Sequence, residues 1–456
     1  MRAYDLEVTG SLKISGDITA RSYVIQNTTT HMTTSFASGS TIFGDSNDDT
    51  HQFTGSLFIS GSRISFDDGK QNIAIGTNSI GVSGFTGNQN IAIGENAMLD
   101  ANGANTGYNI VIGYNAGKSF GANNVYSNIL IGRQAGMNIN SGDASNTIAI
   151  GTNAGIDITS GQRNLLIGTE AGTNISTSDD NTAIGYNAMH GNDSTAGTGT
   201  GRNTGMGSSV LYAITTGQQN VAIGTSAGST LTNTSNTVLI GHNAGLAINS
   251  TDANGTIAIG YEAGKALTSA ANNLAIGYQA LVTHTTGHSN IAIGYGAMDD
   301  TDAGSNSNDS DHNLAIGVNA MGGTWANTKS EFNIAIGNNS LDGALDGAYY
   351  NIALGQYSLS NLTTGDSNTA IGWAALESIT AGSSNIAIGQ QAMQVHTTGE
   401  RNIAIGGGAM NDTNAGSTSL GSSDNMFIGH TAGGGTWADA ASNGNVGIGN
   451  YTMDSA

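Results

Sequence analysis

One short motif, repeated through most of the chain, constrains the possible folds more than any other feature. "NIAIGENAM" begins at residue 90, and close copies, "NIAIGYGAM", "NLAIGVNAM" and "NIAIGQQAM", begin at residues 290, 313 and 385. Aligned on the glycine that ends "AIG", the motif occurs 21 times with spacings of 17 to 23 residues. Such a repeat predicts a row of stacked structural units rather than separate globular domains.

The motif has the pattern of a short strand followed by a corner. In "N-I-A-I-G" two Ile alternate with one Ala, which is the two-residue period of a β-strand. We expect the two Ile to share the core-facing side, and the Ala to face a second close-packed surface on the other side. Glycine ends the strand because it adopts positive φ without steric cost. The predicted corner glycines are Gly76, Gly94, Gly113, Gly132, Gly151, Gly168, Gly185, Gly224, Gly241, Gly260, Gly277, Gly294, Gly317, Gly337, Gly355, Gly372, Gly389, Gly406 and Gly429.

An asparagine stands four residues before the corner glycine in 18 of the copies, and Thr147, Thr237 and Thr256 replace it in the others. If like residues stack from one coil to the next, each asparagine side chain can hydrogen-bond the next one. We therefore predict a structural ladder. Its members are Asn72, Asn90, Asn109, Asn128, Asn164, Asn181, Asn203, Asn220, Asn273, Asn290, Asn313, Asn333, Asn351, Asn368, Asn385, Asn402, Asn425 and Asn445.

The repeat length selects the architecture. A coil of 17 to 23 residues is too short for a helical hairpin repeat, which needs about 33 residues or more. Residues 71–456 are therefore predicted to form an all-β, parallel β-solenoid of about 21 coils. Residues 1–70 lie outside the array and hold a pair of their own, "VTGSLKISG" and "FTGSLFISG". We expect them to form a small β-rich region for attachment or capping.

The composition excludes several classes of function. The chain has 33 acidic residues against 12 basic ones and no basic cluster, so a nucleic acid partner is not expected. It has no cysteine, which excludes disulfides and thiolate metal sites. No segment approaches the roughly 20 apolar residues of a membrane helix, and the N-terminus lacks the apolar core of a signal peptide. We expect no membrane insertion.

The search for catalytic and metal-binding residues predicts no enzyme and no cofactor. "IGENAM" fits the hexapeptide of left-handed β-helix acyltransferases, but it occurs about once per coil instead of three times. His284 and His288 have a spacing that could hold zinc on a helix, yet they lie in a predicted turn. Asp45, Asn47 and Asp49 match the start of a calcium loop without its glycine and closing glutamate, so calcium stays an open alternative. An ice-binding solenoid is a further alternative, but it would need a flat threonine ladder, and the ladder predicted here is asparagine.

The pattern "N-x-A-I-G-x-x-A", repeated with glycine turns, resembles the head repeat of trimeric autotransporter adhesins of the YadA type. The resemblance covers about residues 70–456. It implies a left-handed parallel β-roll in which three chains, side by side or intertwined, surround one axis. Those adhesins also carry a signal peptide, a coiled-coil stalk and a membrane barrel, and none of these is expected here.

Similar repeats occur in bacteriophage tail and side fibres, and "TGSLxISG" resembles segments of marine-phage structural proteins. The resemblance thus implies a virion fibre that is made in the host cytoplasm and acts outside the cell. It would bind a host-surface glycan or protein, while residues 1–70 would join it to other virion proteins. The alternative is a cellular adhesin or a self-assembling surface filament.

Receptor contacts are expected where the rod departs from its regular repeat. Three coils are lengthened near residues 189–202, 299–312 and 411–424, and loops that leave a rigid scaffold commonly carry binding sites. Aromatic side chains can stack on sugars or pack locally. The candidate receptor contacts are Trp325, Tyr349, Tyr350 and Trp437.

Overall fold

The computed structural model describes residues 70–454 except 81–84, 102–105, 122–124, 142–143, 192–200, 302–308, 412–420 and 436–440. All of them belong to one of the chain's two compact units, Phe66–Ala456. The predicted N-terminal β-rich region, apart from Lys70, lies outside the described residues. So do the candidate calcium ligands Asp45, Asn47 and Asp49, the candidate receptor contact Trp437, and most of the three lengthened segments.

The described residues form one strand per coil, which confirms the predicted all-β parallel β-solenoid. Each of the 21 strands has three residues and pairs in parallel with its neighbours in chain order, so that all but the first and the last have two partners. At the usual spacing of about 4.8 Å, the stack is about 100 Å long. The strands are β1 Ile73–Ile75, β2 Ile91–Ile93, β3 Ile110–Ile112, β4 Ile129–Ile131, β5 Ile148–Ile150, β6 Leu165–Ile167, β7 Thr182–Ile184, β8 Thr204–Met206, β9 Val221–Ile223, β10 Val238–Ile240, β11 Ile257–Ile259, β12 Leu274–Ile276, β13 Ile291–Ile293, β14 Leu314–Ile316, β15 Ile334–Ile336, β16 Ile352–Leu354, β17 Thr369–Ile371, β18 Ile386–Ile388, β19 Ile403–Ile405, β20 Met426–Ile428 and β21 Val446–Ile448.

A 3-10 helical turn spans Thr251–Ala253. Ser250 caps it by accepting a hydrogen bond from the backbone N–H of Asp252 at 3.2 Å. In the described part of the chain, no helix is long and apolar enough to cross a membrane.

The core lies on the side of the strand opposite to the one expected from the sequence. The middle residue of each strand from β2 to β20 is buried, as Ala92, Val111 and Leu130 illustrate. The flanking Ile side chains keep contact with solvent, and Ile223 is 38% exposed. The expectation of an Ile-filled core is therefore wrong. A coil of this length encloses a narrow interior, which Ala fills at close-packed density and a pair of Ile would overfill.

Larger core side chains are accommodated by glycine on the return side of the coil. The residue four after the corner glycine has positive φ in most coils, and it is Gly, Met or Leu. A Cβ at Gly136 would lie 2.8 Å from the Leu130 side chain and 3.0 Å from that of Ile139. In other coils Met298 or Leu281 takes this position and is itself fully buried. The interior thus stays filled in both kinds of coil. Where this position is glycine, neighbouring core side chains occupy the space, and where it is Met or Leu, its own side chain does.

A candidate self-association surface

The asparagine ladder runs through the interior and links successive coils wherever asparagine follows asparagine. Asn368 Oδ1 accepts both the backbone N–H and the side-chain amide of Asn385 at 3.1 Å, while its own amide donates to the carbonyl of Gly382 at 2.8 Å. Thr237 continues the ladder by donating its hydroxyl to Asn220 Oδ1 at 2.8 Å. These amides are buried and hydrogen-bonded within the chain. They therefore stabilise the stack and are not available to a ligand.

The corner glycines have φ between +121° and +144°. A Cβ placed on Gly294 would overlap the carbonyl group of Gly317, the equivalent glycine of the next coil. The same overlap recurs from corner to corner along the solenoid, as between Gly317 and Gly337. Both the backbone conformation and the stacking therefore require glycine at these positions.

The three candidate receptor contacts among the described residues do not form one exposed site. Trp325 has no exposed surface, so a receptor cannot reach it, and that expectation is wrong. Tyr350 is 60% exposed, and Tyr349 lies beside it with ring centroids 6.3 Å apart. Tyr350 also stacks on Phe332 of the preceding coil. It belongs to a column of rings and does not form an isolated contact.

The histidines singled out as a possible zinc pair have separate structural roles. His284 is fully buried and hydrogen-bonds through Nε2 to the Asn290 amide at 3.1 Å and through Nδ1 to Thr301 Oγ1 at 2.9 Å. His288 Nδ1 instead accepts the backbone N–H of Ala271 at 3.0 Å. Burial lowers the pKa of His284 to about 4. Among the described residues, no group of three or more His, Asp or Glu is placed to hold a metal ion.

The main feature of the outer surface is an apolar band. We call the first and third residues of strands β1–β21 the outward stripe. No charged residue occupies any of these positions, and all are Ile, Leu, Val or Met except Thr182, Thr204 and Thr369. Like residues align from strand to strand, so neighbours above and below shield each side chain. Exposure nevertheless reaches 36% or more at Ile75, Met206, Ile223, Ile336, Ile371, Ile386, Val446 and Ile448.

Two further columns border the outward stripe. We call the residue two before each strand the entry edge and the residue two after it the exit edge. Rings stack along the exit edge with centroids 5.4, 5.0 and 5.1 Å apart in the series His242, Tyr261, Tyr278 and Tyr295. Rings stack along the entry edge at 5.0 and 5.2 Å in the series His312, Phe332 and Tyr350.

The entry edge also carries ion pairs between successive coils. Arg163 donates to both carboxylate oxygens of Asp180, at 2.6 and 3.1 Å. Arg401 makes the same arrangement with Asp424, at 2.7 and 3.1 Å. The hydrogen bond from the guanidinium group lowers the pKa of each aspartate below its usual range. Because these pairs are exposed, their contribution to stability is small.

Sequence reasoning missed this surface because it placed the Ile side chains inside. The absence of charge from both flanking strand positions could be seen in the sequence, but it fits a buried face as well as an exposed one. With this face on the outside, the long apolar patch marks an interaction site. No protein-family model, curated protein or solved structure matches the chain.

Proposed function

We propose that this chain forms the shaft of a homotrimeric fibre, a bacteriophage tail or side fibre that contributes to host adhesion. The observation that carries the proposal is the outward stripe, an uncharged apolar band repeated over 21 coils. Exposed to water, such a band would cause nonspecific association. Three copies that turn their stripes towards a common axis would bury it. The left-handed roll and the virion assignment rest on the resemblance to adhesin head repeats.

The stripe is comparable in size to one side of a standard protein–protein interface. A band about 100 Å long and about 10 Å wide offers about 1,000 Å² on each copy. Standard stable interfaces bury about 800 Å² per partner. The net charge of −21 per chain also favours an interface that contains no charged groups, because it keeps the acidic side chains on the outer, solvated surface.

In this fibre, the turns that face away from the outward stripe would contact the host. The fibre would be part of the virion and would act outside the cell. Residues 1–70 would attach the fibre to other virion proteins. The solenoid itself has no predicted catalytic residue and no predicted cofactor. Its role in this proposal is mechanical: it holds a binding surface at a distance from the particle.

The test is the native mass of the full chain, measured by light scattering, for the parent and for Ile223→Glu combined with Ile336→Glu. Both side chains are more than one-third exposed, so the charges should be tolerated by the single chain. We expect the parent at three chain masses and the variant at one. The matched control is Thr364→Glu, an exposed turn position, which should remain trimeric. A monomeric parent, or a trimeric variant, would contradict the proposal.

A further inference from the structure

In many coils the side chain on one edge of the outward stripe is large and the side chain on the other edge is small. In several coils a large aromatic residue on the exit edge is matched by a small residue on the entry edge of the same coil. These same-coil pairs are Gly255 with Tyr261, Asn272 with Tyr278, Ser289 with Tyr295 and Ser367 with Trp373. The aromatic members are 43% to 55% exposed. Bulk on one edge thus coincides with space on the other.

The same relation holds in the opposite sense further along the rod. There the large residue is on the entry edge, and the exit edge carries a smaller one. The pairs are His312 with Val318, Phe332 with Asn338, Tyr350 with Gln356 and Arg401 with Gly407. Some coils depart from this pattern: Tyr108 and Tyr114 are both large, and Gln89 and Glu95 are similar in size. Two tyrosine rings that meet across an interface can stack.

Charge does not oppose this pairing. In each of the 21 coils at most one of the two edge residues is Asp, Glu, Lys or Arg. Asp180 is paired with Tyr186, whose phenol can donate a hydrogen bond, and Asp424 is paired with His430. Across an interface, like charges in direct opposition would cost stability, whereas these combinations would not.

Contacts within one chain do not account for this complementarity. The two edge residues of a coil are six positions apart and lie on opposite sides of a strand, so neither fills space beside the other. Stacking between successive coils explains why rings follow rings along one edge. It does not explain why the opposite edge becomes small at the same height.

We infer that copies of this chain associate in parallel and in the same register, with the entry edge of each copy against the exit edge of the next. Rotation about an axis parallel to the rod keeps equivalent coils at the same height and produces a head-to-tail ring. A two-fold antiparallel dimer would instead oppose unrelated coils. The inference rests on the proposed fibre and specifies its contacts. It places Tyr350 in the chain–chain interface rather than at a receptor.

A size-swap experiment on the full chain tests the pairing. Ser289→Tyr should crowd Tyr295 of the neighbouring copy, and Tyr295→Ser should leave a gap, each weakening association by about tenfold. The entry edge accepts aromatic residues at the same φ, since Phe332 and Tyr350 have φ of 59° and 60°. Combining Ser289→Tyr with Tyr295→Ser should restore association to within about threefold of the parent, because the two effects are coupled.

The register control combines Ser289→Tyr with Tyr261→Ser, which removes bulk two coils away and should give no recovery. Association is measured by sedimentation velocity over a dilution series. Recovery in the matched swap alone supports the inference. Equal recovery in both combinations, or none in either, would overturn it. The parent protein distinguishes failure of the proposed fibre from failure of the edge pairing. A monomeric parent refutes the fibre, whereas an assembled parent without recovery in the matched swap refutes only the edge pairing.

A second experiment uses the absence of cysteine. The double variant Ser289→Cys with Tyr295→Cys is treated with a short bismaleimide, which spans the space vacated by the tyrosine. The ring predicts covalent dimers and trimers on a denaturing gel, and the two single-cysteine variants should stay unlinked. Linked dimers from a single-cysteine variant would indicate a two-fold arrangement and would overturn the inference, as would an unlinked double variant.

Discussion

At the scale of single residues, the corner glycines combine a conformational requirement with a steric one. Gly294 has φ of +144°, a region that other residues rarely adopt, and the carbonyl of Gly317 occupies the space that its Cβ would need. The motif predicted a glycine corner from positive φ alone. The steric requirement comes from the next coil and could not be seen without the stacking distance.

We predict that Gly294→Val destabilises the solenoid by about 3 kcal/mol or more, because the overlap involves backbone, which cannot move aside. The measurement is the urea midpoint followed by circular dichroism. Gly444→Val is the control, since Gly444 also has positive φ, +76°, but no atom lies within 4 Å of the position that a Cβ would occupy there. Its loss of stability should be clearly smaller. If Gly294→Val unfolds at the parent's midpoint, the corner is assigned wrongly.

Two buried histidines should make the solenoid sensitive to acid. Burial lowers the pKa of His284 and of His396 to about 4, and nearby Asp311 and Asp309 only partly offset this at His284. The unfolded chain, with a histidine pKa of about 6.5, binds protons more readily between these values. Stability is therefore full above about pH 6.5 and falls as the pH drops towards 4, by up to about 1.4 kcal/mol per pH unit for each histidine.

The check is the urea midpoint between pH 7 and pH 4.5 for the parent and for His284→Gln with His396→Gln. The variant should lose less stability on acidification. Asp299 acts in the opposite direction, because burial raises its pKa to about 6 and it takes up a proton earlier in the folded state. Comparing parent and variant cancels this effect. Identical pH profiles would show that the two histidines are not the cause.

At the scale of the element, each coil is joined to the next by a three-residue strand, by backbone hydrogen bonds in the turns, such as Leu376 N–H to the Ala392 carbonyl, and in most coils by a ladder asparagine. The asparagine adds to this backbone network two buried hydrogen bonds to its side-chain oxygen, as Asn368 Oδ1 accepts both donors of Asn385. Thr147, Thr237 and Thr256 occupy the same position in three coils. The structure thus contains its own example of a shorter hydroxyl replacing the amide.

We predict that Asn368→Ala destabilises the solenoid by about 2 kcal/mol, because it leaves the carbonyl of Gly382 and the buried donors of Asn385 without their partner. Asn368→Thr should cost less, since its hydroxyl can donate to Asn351 Oδ1 in the preceding coil, as the hydroxyl of Thr237 donates to Asn220 Oδ1. Urea midpoints of the two variants measure the difference. Equal losses would mean that side-chain volume, and not hydrogen bonding, determines the stability at this position.

At the scale of the whole molecule, stability is a sum over interfaces between neighbouring coils, as in other solenoids. Every strand from β2 to β20 has one partner above and one below. A rod built in this way has a long lateral surface relative to its narrow core. The outward stripe runs along that surface, and our proposal is that copies of the chain associate through it.

The repeat length, the short strands, the glycine corners and the asparagine ladder could all be recognised in the sequence, because each depends on residues within one coil or on a match to the next coil. The sequence did not decide which face of the strand is inside. Alternation of Ile and Ala shows that the two faces differ, and it is equally compatible with an Ile core and an Ala core. That choice depends on the direction in which the coil closes. The corner glycine and residues with left-handed backbone conformation, such as Asn243 and Leu281, together set the direction of closure. That direction turns the alanine in the middle of the strand towards the narrow interior.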